Sequence, residues 1–158
     1  MTSVSFPALT TLNNTYSFNQ TFFNCSKLTS VSFPVLTKIS AANAFRSAFS
    51  GCSSLTNVPF TEVTEISGNT TLYGAFNSCS GMVNVSFPKL QTVSGSGGCS
   101  YMFQSCANIE TVEFPKLTTI SGTTAFTYAF TGCSKLRTVS FPALTSITGS
   151  NGVFSNAF

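Results

Sequence analysis

Apolar and polar residues alternate briefly along this chain, break, and alternate again at a fixed interval. Val4, Val31, Val58, Val85, Val112 and Val139 form one apolar column, and Phe6, Phe33, Phe60, Phe87, Phe114 and Phe141 form a second, two residues on. Successive members of each column are 27 residues apart. Between the columns sit Ser5, Ser32, Pro59, Ser86, Glu113 and Ser140. Apolar, polar, apolar is the period-2 signature of a short, half-buried strand. Proline then closes the strand in five units, because it has no N–H to give to a ladder. In the third unit the order is transposed to Val58-Pro59-Phe60.

A leucine-type position follows the bend (Leu9, Leu36, Val63, Leu90, Leu117, Leu144), and three residues on comes another (Leu12, Ile39, Ile66, Val93, Ile120, Ile147). This spacing carries a short extended piece back to the core. Ser67-Gly68, Ser94-Gly95, Ser121-Gly122 and Thr148-Gly149 mark a turn. The segment TAFTYAFTGC (Thr124–Cys133) then predicts a short helix or 3-10 turn, with Phe126 and Phe130 on one face and Gly132 as its stop. Phe22, Phe49, Phe76 and Phe103 repeat the Phe130 position.

One such unit cannot bury its apolar side, whereas stacked units can. The expected architecture is an α/β repeat solenoid, a single domain over residues 1–158. Its six 27-residue units start near Met1, Leu28, Leu55, Met82, Ile109 and Leu136. A parallel β-sheet forms one face, and short helical or 3-10 turns form the other.

Composition narrows the function classes. Only 7% of residues are charged, against about a quarter in a typical globular domain, so Ser, Thr and Asn must carry solubility. The net charge of +3 comes from scattered residues and offers no basic cluster for a nucleic-acid backbone. No apolar run approaches the roughly 18 residues of a membrane span. The first residues, MTSVSFPALTTL, show no basic leader or cleavage pattern, so no signal peptide is visible.

The pattern LxxVxFPxLTxI followed by AFxxC resembles the BspA-like, Treponema-type leucine-rich repeat. Leu28, Val31, Phe33, Pro34, Leu36, Ile39, Ala48, Phe49 and Cys52, with their equivalents in other units, carry the resemblance. It implies an extracellular or cell-surface location and a role in adhesion or protein binding. The repeat is longer than the common form of that family.

Candidate chemistry is sparse. The chain has no His and no Asp, so Ser-His-Asp and Cys-His arrangements cannot arise within it. The acidic pairs Glu62/Glu65 and Glu110/Glu113 are expected to be solvated rather than catalytic, so no enzyme is predicted. No cofactor or metal is expected. Cys25, Cys52, Cys79, Cys106 and Cys133 form one column of the repeat. Their stacked Cβ atoms would lie about 4.8 Å apart, too far for a disulfide, so they are expected as a ladder of free buried thiols. Cys99 falls in a phenylalanine-type column. The outward threonines Thr10, Thr37, Thr64, Thr118 and Thr145 suggest an ice-binding grid, but Gln91 breaks it. Asn13, Asn19, Asn24, Asn69 and Asn84 head glycosylation sequons, so glycans are possible partners.

The outward side of the strands is the candidate binding face: Ser5, Ser30, Ser32, Asn57, Asn84, Ser86, Thr111, Glu113, Thr138 and Ser140. Val4 and Phe6 at one end, and Val153, Phe154 and Phe158 at the other, are candidates for end-to-end contact, since no polar cap is visible. The expected function is a non-enzymatic surface or secreted scaffold for adhesion or protein interaction. The alternative is a structural protein that binds copies of itself head to tail and forms a filament.

Overall fold

The computed structural model describes residues 1–12 and 14–158. Successive 27-residue periods stack in parallel as coils of a solenoid. The strands that follow each Leu-type start are β1 (Ser3–Ser5), β2 (Ser30–Ser32), β5 (Asn84–Ser86), β7 (Thr111–Glu113) and β9 (Thr138–Ser140). The extended pieces after the bend are β3 (Lys38–Ile39), β4 (Glu65–Ile66), β6 (Thr92–Val93), β8 (Thr119–Ile120) and β10 (Ser146–Ile147). Every pairing is parallel and in repeat register, as in Val4 opposite Val31 and Ile39 opposite Ile66.

Two features differ from expectation. The short extended pieces build the longest ladder, a five-stranded sheet in the order β10-β8-β6-β4-β3. The expected continuous face is divided instead into β1-β2 and β5-β7-β9.

The second difference is the far side of each coil. Among the described residues it contains no helix and no 3-10 turn, only a staircase of turns. Alternate N–H groups are shared between local and inter-coil bonds. Those of Asn43, Phe45, Ser47, Phe49 and Gly51 donate to carbonyls of the next coil, while those of Arg46, Ala48, Ser50 and Cys52 donate three residues back. A residue in the left-handed region recurs every fourth position: Asn43, Ser47 and Gly51, then Thr70, Gly74 and Ser78, then Thr124, Tyr128 and Gly132.

Spacing explains the choice. An α-helix is about 10–12 Å across with side chains and keeps its N–H groups inside. Strands on the other side of the coil advance only about 4.8 Å. Turns that pass half of their N–H groups to the next coil can keep that step. The cost is roughly 1–2 kcal/mol for each non-glycine left-handed residue, offset by the backbone bonds that these turns make between coils.

The core lies between the two sides. Phe22, Phe49, Phe76, Phe103, Phe130 and Phe158 form a continuous ring stack with centroid steps of 5.3–6.1 Å. A third column runs Phe18, Phe45, Leu72, Cys99, Phe126 and Phe154, with Cys99 fully enclosed. Burial of one such ring contributes about 1.5–3 kcal/mol.

Candidate functional site

The face carrying β1, β2, β5, β7 and β9 is lined outwardly by hydroxyl and amide side chains. Coil-to-coil contacts order them: Ser5 and Ser32 hydroxyls lie 2.8 Å apart, and the Thr111 hydroxyl donates to the Asn84 side-chain carbonyl at 2.8 Å. Ser30, Ser32, Asn57, Asn84, Glu113 and Thr138 are exposed, whereas Ser86, Thr111 and Ser140 are half-buried.

The third coil interrupts this face. Pro59 occupies the position of Ser32 and Ser86, and the N–H that would join a ladder is missing. Residues 56–61 make no backbone hydrogen bond to either neighbouring coil. The phenylalanine column records the same displacement. Its steps are 4.9–5.2 Å from Phe6 to Phe33, Phe87 to Phe114 and Phe114 to Phe141, but 5.8 Å from Phe33 to Phe60. Phe60 turns its edge to Phe45, Phe49 and Phe76.

Pro59 is buried although its equivalents point outward, so this coil is recessed. The recess is a groove of about 490 Å³, within the ~300–1,000 Å³ of ordinary ligand pockets. Ser30, Ser32, Asn57, Asn84 and Ser86 line it. These are five of the ten candidate face residues. The other five, Ser5, Thr111, Glu113, Thr138 and Ser140, lie beyond it along the face. Sequence reasoning missed the groove itself, although the transposed Val58-Pro59-Phe60 is its signal.

The acidic pairs are divided among coils. Glu62 pairs with Lys89 at 2.5 Å and Glu65 with Lys38 at 2.9 Å, each across one repeat. The Lys38 hydrogen bond, with a second from Ser67, holds the Glu65 carboxyl below its ordinary range. Among the described residues no group of three or more His, Cys, Asp or Glu side chains gathers to hold a metal. The outward threonines are engaged as well, since Thr64, Thr118 and Thr145 donate to carbonyls of the preceding coil at 3.1–3.3 Å.

All six cysteines are free thiols. The column does more than fill space: Cys52, Cys79, Cys106 and Cys133 donate S–H to Phe22, Phe49, Phe76 and Phe103 carbonyls at 2.9–3.1 Å. Burial pushes Cys52 and Cys133 up to about 11 and Cys106 to about 12, and moves Cys79 and Cys99 further upward. Reactivity requires the thiolate. Iodoacetamide at neutral pH is therefore expected to label half-buried Cys25 alone in the native protein, and all six thiols after unfolding. Mass spectrometry reads the count, and rapid native labelling of Cys79 or Cys99 would contradict this packing.

Of the sequons, Asn19 is half-buried, Asn24 is exposed, and Asn69 accepts the Ser96 N–H at 3.0 Å. Asn84 lies in the groove, and Asn13 lies outside the described residues. At the ends, Val4 and Phe6 are half-buried and Val153 is buried, its carbonyl accepting the Phe126 N–H. Phe158 remains 75% exposed. Val139, Phe141, Leu144, Phe154 and Phe158 border an apolar hollow of about 400 Å³.

The family model for the BspA type leucine rich repeat region matches residues 1–128 and 73–157, in six copies. The chain belongs to the BspA type leucine rich repeat family. No curated protein matches this repeat array. A leucine rich cell surface protein from Faecalibacterium prausnitzii is similar in structure, with a TM-score of 0.56 and 20% identity. The match covers 98% of this chain and 35% of that one, so this BspA-type chain spans about a third of that relative's length. A leucine-rich repeat protein from Bacteroides ovatus aligns at 14% identity over 99% of this chain and 73% of that one, with a TM-score of 0.21. Among the described residues no helix is long and apolar enough to cross a membrane.

Proposed function

We propose that this BspA-type chain is a non-enzymatic scaffold for protein interaction outside the cell or at its surface, with the strand face as its binding surface. The observation that carries the reading is the groove, which opens at the one place where the strand face is broken. The family and the cell-surface relative support the location. The face lacks aromatic and Arg anchors, the residues that dominate tight interfaces, so the contact is weak singly and strengthens when several copies are displayed together.

The test is adhesion of beads carrying many copies to immobilised extracellular proteins. Ser32→Arg and Ser86→Arg, which fill the face, should reduce adhesion by roughly tenfold or more, about 1.4 kcal/mol. Thr127→Arg on the turn side should leave it unchanged. Adhesion equally sensitive to Thr127→Arg and insensitive to the face variants would overturn the assignment of the face.

A further inference from the structure

We infer that the groove at the third coil receives an extended, uncharged peptide strand, held by backbone hydrogen bonds to the two sheet edges that flank it. This deepens the protein-interaction reading above and rests on it.

The first support is the backbone pattern. In a parallel ladder, alternate residues direct both N–H and C=O to opposite neighbours. Ser30 donates to Thr2, and Phe6 donates to Ser32, so Ser30 and Ser32 serve the first coil. The N–H groups of Val31 and Phe33 therefore face the gap. On the other side, Phe87 donates to Glu113 and Val83 accepts from Thr111, so Val83, Val85 and Phe87 serve the fifth coil. Asn84 and Ser86 face the gap in turn. Strands β2 and β5 are consequently edge strands inside the face, each without a partner on that side.

The second support is width. Coils two and four are two strand spacings apart, about 9.6 Å, which accommodates one strand midway between them. The third coil, which should have been that strand, makes no ladder bond there, and its buried Val58 and Pro59 line the groove. Exposed strand edges are templates for pairing with another chain, and a peptide adding itself to an edge draws its affinity from main-chain bonds.

The third support is chemistry. None of the residues lining the groove is charged. Glu62 and Lys89, which flank the groove residues in sequence, pair with each other and do not line it. A charged side chain entering would lose water and find no counter-ion. Small alternating residues such as Ser, Thr and Val fit the space and favour the extended form.

The probe is the capped hexapeptide Thr-Ser-Val-Ser-Val-Ser, with a second peptide in which two valines are replaced by proline. Hydrogen exchange followed by NMR reports the amides of Val31, Asn84 and Ser86. These should exchange quickly in the free protein and slow by about tenfold or more at saturating peptide, while the proline peptide has no effect. Pro59→Ser installs the residue that four other coils carry, so it should fold, join β2 to β5 through the third coil and abolish binding. Equal binding by Pro59→Ser would overturn the inference, as would protected Val31 and Ser86 amides in the free wild-type protein. The exchange measurement needs no variant, so a misfolded Pro59→Ser leaves the inference testable. Adhesion that depends on Ser86 while the hexapeptide never binds would remove the strand-insertion idea and leave the broader face intact.

Discussion

Raising the pH from about 8 to about 11 under reducing conditions is expected to unfold the solenoid cooperatively. The cause is the cysteine column. In the unfolded chain a thiol ionises near pH 8.5–9. In the fold, burial raises Cys52 and Cys133 to about 11, Cys106 to about 12, and Cys79 and Cys99 beyond that. A folded value raised above the unfolded one means that the native state holds its proton longer. The stabilisation is complete below about pH 8.5 and is lost as pH rises toward the folded values. Each thiol costs about 1.4 kcal/mol per pH unit in that window. All five thiols shift in the same direction, so their losses fall in one window, against a typical total stability of ~5–15 kcal/mol.

Circular dichroism across an alkaline titration reads the transition. Cys99→Val removes one thiol that donates no hydrogen bond to the ladder, so its alkaline midpoint should move upward. An unchanged spectrum to about pH 11, or a midpoint indifferent to Cys99→Val, would show that ionisation of the column does not set the limit.

Gly95→Ala should be the most damaging change of a single hydrogen to a methyl group. A Cβ on Gly95 would stand 2.1 Å from the Gly68 carbonyl oxygen, and the column continues with Gly122 against Gly95 at 2.2 Å and Gly149 against Gly122 at 2.4 Å. The obstacle is backbone on which the adjacent coil is built, so no side chain can swing aside. The cost should reach or exceed the upper end of the ~1–3 kcal/mol of ordinary overpacking.

Gly74→Ala is the informative contrast. Gly74 has φ of +58°, yet its Cβ would meet only the Ser47 hydroxyl at 3.5 Å. Its column already carries Ser47, Tyr101 and Tyr128 in the same left-handed conformation. The expected loss is about 1 kcal/mol. Urea denaturation of the two variants separates the effects, and a Gly95→Ala protein as stable as Gly74→Ala would mean that the coils do not approach each other this closely.

The two glycine columns show where sequence reading succeeds and where it stops. Ser94-Gly95 and Ser121-Gly122 read correctly as turn positions, but their need for glycine comes from the neighbouring coil and not from their own dihedral angles. The candidate face was likewise legible as a column of outward Ser, Asn and Thr. The groove within it was not, because its depth depends on how far the third coil sinks once Pro59 has removed one ladder bond. Cys52 and its equivalents were legible as buried free thiols. Their S–H bonds to phenylalanine carbonyls were not, since donor and acceptor are 30 residues apart.

What the sequence determined alone was the period, the parallel stacking and the identity of the core columns. A repeat of 27 residues places equivalent side chains over one another whatever the backbone does between them, and apolar columns must face inward. The tertiary structure alone decided the conformation of the far side. Phe126 and Phe130, four residues apart, are buried as a helical face would bury them, yet the segment is a staircase of turns. A spacing of four suits both conformations, and about ten residues are too few for a helix to hold itself together in water. The choice falls to the inter-coil hydrogen bonds, which exist only after stacking and require each coil to advance by one strand spacing.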